Sequence, residues 1–108
     1  MKGLPVLFTA LAEEDLDQIE DFISAQDPVA AARVRTAIVQ QSLKLGNTPK
    51  KGMVLLDPRF KQEIGVRLWP VAKYRNYLLL YRVESKLIRV LRVLHAAQDW
   101  TRFFEQSQ

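Results

Sequence analysis

The sequence has no cysteine and only one histidine, His95. Without cysteine there is no disulfide framework and no thiolate metal site, and one histidine among scattered carboxylates gives little basis for any other metal centre. No metal and no cofactor are therefore expected. The four glycines are scattered, and no phosphate-cradling glycine loop, HExxH or GxSxG pattern occurs. No apolar run approaches the roughly 20 residues that a membrane span requires, so the chain reads as soluble and cytoplasmic, with no membrane partner. The apolar stretch from Leu4 to Leu11 faintly imitates a signal peptide, but Pro5 and Thr9 interrupt it, and a first strand is the expected reading.

What is present suits one compact unit. With 108 residues, 48% of them hydrophobic and 26% charged, the chain is expected to form a single domain spanning 1–108. Charge is unevenly placed. Residues 1–32 hold one lysine and seven acids, a net of −6, whereas residues 33–108 hold 15 Lys or Arg and five acids, a net of +10. The basic part favours an acidic partner, either nucleic acid, a machine bound to it, or an acidic protein segment, although a solvated basic surface explains the same charge.

Hydrophobic patterning predicts the elements. Thr9 is placed to cap a helix from about Ala10 to Ala25, with carboxylates in its first turn and Leu16, Ile19, Phe22 and Ile23 on one stripe. Asp27-Pro28 restarts a second helix, with Ala30, Val34, Ile38 and Leu45 on one face and Gly46-Asn47 at its end, so the pair makes a helical hairpin. Residues 50–61 read as a basic loop. Glu63 to Val71 alternates as a strand with Ile64, Val66 and Leu68 on one side and Arg67 and Trp69 on the other, and Pro70 should end regular pairing. Residues 72–76 read as a turn. Two apolar runs, Leu78–Val83 and Leu87–Leu94, flank Glu84-Ser85-Lys86 and predict a central hairpin. Asp99 could cap a short terminal helix carrying Trp100, Phe103 and Phe104. The expected fold is α+β: an N-terminal strand, an antiparallel helical hairpin packed on one face of an antiparallel sheet, and that short helix, with the other sheet face partly open and basic.

Arg67, Arg75, Arg82, Arg89, Arg92 and His95 gather around the expected sheet. Histidine with several arginines supplies a proton acceptor, a donor and cations, which suits RNA cleavage by 2′-hydroxyl attack without a metal. Arg92 and His95, however, are three apart and point to opposite faces of a regular strand unless it bulges. Arg92 within an apolar run needs a carboxylate or a wet surface, and Glu63 or Asp99 is the expected partner if the role is structural. A lone histidine at a strand end is more often structural than catalytic.

The order YRNYLLLYRVE from Tyr74, a short polar turn, then IRVLRVLHAAQDW ending at Trp100 resembles the C-terminal half of the RelE/ParE superfamily of toxin–antitoxin toxins, whose upstream helical hairpin also has its counterpart here. The Arg92–His95 segment, RVLH, followed by small residues and Asp99, is more similar to the ParE branch. The resemblance implies the toxin of a type II module that inhibits DNA gyrase without being an enzyme, stabilises plasmids and is neutralised by a cognate antitoxin in a hetero-oligomer. The alternatives are a RelE-like mRNA endonuclease acting on the ribosome, and an inactive binding module of the same fold. His95 is followed by Ala96-Ala97, no tyrosine follows Tyr81, and Lys50 and Lys51 alone represent the lysine cluster of the mRNA cutters, so these departures weigh towards ParE. The residues expected to carry toxicity or target binding are Arg67, Arg92, His95 and Trp100. As a nuclease, the chain would use Arg67, Arg92, His95 and Lys51. Antitoxin binding is assigned to Leu11, Leu16, Ile19 and Trp69, beside an apolar groove and a sheet edge.

Overall fold

The computed structural model describes residues 3–57 and 59–96. Its elements follow the order β1 (Val6–Phe8), α1 (Ala10–Ser24), α2 (Pro28–Lys44), β2 (Met53–Leu56), β3 (Glu63–Val71), β4 (Tyr74–Val83) and β5 (Ile88–His95). Two helices pack on a five-stranded sheet with strand order β1-β5-β4-β3-β2, an α+β architecture.

The capping chemistry places the helices where expected. Thr9 Oγ1 accepts from the Ala12 amide at 3.1 Å and donates to the Leu91 carbonyl at 2.9 Å, so one hydroxyl starts α1 and pins it to β5. Asp27 accepts from the Ala30 amide at 3.0 Å, and Pro28 occupies the first turn of α2. The inner face of α2 consists of Ala31, Val34, Ile38 and Ser42, one position round from the expected Ala30. Val34 and Ile38 join Ala12, Leu16, Leu79, Tyr81, Ile88, Val90 and Val93 in the main core.

The sheet departs from expectation in five respects. β1 runs parallel to β5, from Val6 beside Ile88 to Phe8 beside Val90, because the helical hairpin returns the chain before the central strands form; the sheet is therefore mixed. Residues 53–56, read as loop, form an edge strand antiparallel to β3, since Met53-Val54-Leu55-Leu56 is an apolar run too short to show a period. Tyr74 to Asn76 already belong to β4, and the reversal is confined to Ala72-Lys73. Pro70 stays in the ladder beside Leu78, with the irregularity following it. Finally, the face away from the helices, expected to be partly open and basic, also carries a second buried cluster of Leu55, Val66, Leu68, Leu80 and Leu94, with Arg82 and Arg89 paired in register on the same face. The expected terminal helix lies outside the described residues.

Candidate functional site

Strand β5 contains the irregularity on which the site depends. Leu80 pairs with Arg92 and Tyr81 with Val90, so Leu91 is an extra residue opposite β4. Past this bulge β1 no longer covers the edge of β5, and α1 supplies the missing partner. Asp15 accepts from Arg92 Nε at 2.8 Å, from Arg92 Nη2 at 2.9 Å and from the Val93 amide at 2.9 Å. The side chains are 21% and 10% exposed. The bidentate bond to Asp15 holds the Arg92 guanidinium above its ordinary pKa, against the opposing effect of burial. The carboxylate that Arg92 requires is thus Asp15. Glu63 is exposed on β3, and Asp99 lies outside the described residues.

Regular alternation resumes after the bulge, and His95 turns to the helix side. Its ring meets Tyr77 edge to face at 5.4 Å and 86°. Together with Asp15, Gln18, Ile19, Phe22 and Val93 these two rings line a cleft of about 380 Å³. Phe22, expected in the buried stripe of α1, is 80% exposed at this cleft. Asp15 thereby touches Arg92 and also lines the cleft of His95, although the two basic side chains leave β5 in different directions.

A second group lies farther along the sheet. Arg67 Nη1 donates to the Gly52 carbonyl at 2.8 Å and to the Lys50 carbonyl at 3.2 Å. Buried Tyr81 ties the same segment down, donating to the Pro49 carbonyl at 2.9 Å and accepting from the Gly52 amide at 2.8 Å. A Cβ on Gly52 would come within 2.5 Å of the Tyr81 hydroxyl, so glycine is required by close approach. Lys51 Nζ lies 4.6 Å over the half-buried Trp69 ring.

The expected nuclease residues do not converge. Arg67 pairs with Tyr81 and His95 with Tyr77, on opposite sides of β4 and four residues apart along it, which is about 13 Å of strand rise. Arg89 is held by Glu84 at 2.8 Å. Among the residues assigned to antitoxin binding, Leu11 is 54% exposed and Ile19 lines the cleft, but Leu16 is 3% exposed and belongs to the core, so it offers no surface to a partner. Trp100 lies outside the described residues. Sequence reasoning missed Asp15 as part of the site. Its signal was an acid on the same inner stripe of α1 as Ala12, Leu16 and Ile19, where a solvated carboxylate has no place. Among the described residues no group of three or more His, Cys, Asp or Glu side chains gathers that could hold a metal ion, and no helix is long and apolar enough to cross a membrane.

Two helices packed on a five-stranded mixed sheet place the chain in the RelE/ParE-type toxin fold. Two solved structures share it: a chromosomal ParDE toxin–antitoxin system from P. aeruginosa, 25% identical with a TM-score of 0.69 over 85% of this chain and 95% of that one, and the RelBE2 toxin–antitoxin complex from Mycobacterium tuberculosis, 25% identical with a TM-score of 0.61 over 91% and 97%. The family model of the ParE toxin of the type II toxin–antitoxin system parDE matches residues 6–100, and the chain belongs to that family. No curated protein sequence matches it.

Proposed function

We propose that this toxin acts as a ParE: in the cytoplasm it binds and poisons DNA gyrase without catalysing a reaction of its own, and a cognate antitoxin neutralises it in a hetero-oligomer. The observation that carries this reading is that both arginines a nuclease would use are already engaged inside the protein, Arg92 by Asp15 and Arg67 by two carbonyls, apart from His95. A transition state needs cations aimed at the developing charge, and these are aimed elsewhere. The family match to ParE supports the same target. The antitoxin is assigned to the cleft between α1 and β5, where exposed Phe22 and half-buried Ile19 offer apolar anchors beside His95.

The mRNA-cutting alternative rests on His95 at the mouth of that cleft and on the likeness to RelBE2. One experiment separates the two. The purified toxin is added to a gyrase supercoiling reaction and, in parallel, to a translating extract in which mRNA ends are mapped. Loss of supercoiling with intact mRNA is expected; ribosome-dependent cleavage with gyrase unaffected overturns the proposal.

A further inference from the structure

A second cleft, of about 430 Å³, lies between α2 and the β3–β4 turn, and no α1 residue lines it. Its walls are small and apolar at Ala32, Ala37 and the Tyr74 ring, while Arg33 and Lys73 stand beside them and Gln40 contributes an amide. No carboxylate lines it, and neither Arg33 nor Lys73 makes an ion pair with a described residue. Arg35 is engaged by Asp17 and Glu20, Arg59 by Asp57, Arg89 by Glu84 and Arg92 by Asp15, whereas Arg75 and Arg82 also make no ion pair with a described residue but do not line this cleft. Lys73 is also held at φ 75°, a left-handed conformation that glycine adopts freely and that costs other residues about 1 kcal/mol. A lysine kept at a strained turn, its ammonium 5.9 Å from the Tyr74 ring centroid, is the kind of local cost that accompanies a working side chain.

We propose that this cleft is a receptor site for a short peptide segment of a protein partner, one apolar side chain flanked by carboxylates. The apolar walls accept the side chain, Arg33 and Lys73 pair with the acids, and the Gln40 amide meets the peptide backbone. A phosphodiester would leave those apolar walls unmatched. The site is separate from the cleft beside α1 and does not depend on the gyrase reading.

The test uses the intact protein and a fluorescent Glu-Asp-Leu-Glu-Asp peptide followed by anisotropy. Saturable binding is expected, weakened about tenfold by the double variant Arg33→Ala and Lys73→Gly, as two partly exposed charge pairs would predict. Ala32→Trp, which fills the cleft and keeps both charges, should weaken it as well. All three positions are compatible with folding: Arg33, Ala32 and Lys73 are exposed, and glycine relieves the strain at position 73. Absence of binding, binding indifferent to both variants, or displacement of the peptide by a short DNA duplex overturns the proposal.

Discussion

Asp15 accepts three hydrogen bonds with one carboxylate, two from Arg92 and one from the Val93 amide, and so closes the edge of β5 where β1 stops. Removing either member leaves the other charge partly buried without compensation, which is costlier than the pair is stabilising. Arg92→Ala is expected to lower unfolding free energy by about 3 kcal/mol in urea denaturation, with Arg92→Lys recovering part of the loss. A melting curve unchanged by Arg92→Ala would show the pair to be dispensable and return the residue to target binding. Tyr81 makes a prediction in pH. Burial raises its pKa above the ordinary tyrosine value, outweighing the Gly52 amide and the charge of Arg67, which act in the opposite sense. A folded-state pKa above the unfolded one means that this stabilisation is complete below about pH 10 and is lost as the pH rises from there through the folded value. Tyr81→Phe should flatten the alkaline limb of the stability profile, while costing about 1–3 kcal/mol at neutral pH because Gly52 and Pro49 lose their partner. An alkaline limb as steep in the variant as in the parent would assign the effect to another group.

Elements that carry their own punctuation were legible in the sequence. Thr9 and Asp27-Pro28 mark both helix starts by local hydrogen bonding, and the alternation in β3 places Val66 and Leu68 on one face, as found. Elements defined by pairing were not legible. Met53–Leu56 has too few residues for a period, and it becomes a strand only because β3 offers an edge. The parallel run of β1 along β5 depends on contacts between residues some 80 positions apart, a separation to which local propensity is blind. The site shows the same division. That Arg92 must have a carboxylate follows from the cost of an unpaired buried charge. Which carboxylate depended on the bulge at Leu91 and on α1 crossing the β5 edge, neither of which periodicity encodes. Phe22 obeyed the helical stripe in spacing yet ended exposed at the cleft. Periodicity therefore identifies a face but not whether anything covers it.

At the scale of the whole molecule, the charge division coincides with the architecture. α1 carries half of the acids and no base, while α2 and the strands carry an excess of base. Such a dipolar molecule presents different fields to different partners: an acidic segment is drawn to the basic side and turned away from the outer face of α1. Long-range attraction of this kind acts on encounter, and it decays over a Debye length of about 8 Å at physiological salt. The short contacts at an apolar cleft act instead on dissociation. For the complex with its cognate antitoxin, stopped-flow mixing across a range of sodium chloride concentrations should show an association rate that falls steeply with salt and a dissociation rate that changes little. Substituting Phe22→Ala should do the reverse, raising the dissociation rate by about tenfold through loss of an aromatic anchor while leaving the salt slope of association in place. An association rate flat in salt would mean that the separation of charge plays no part in capture, and a dissociation rate unaffected by Phe22→Ala would remove the α1 cleft from the antitoxin interface.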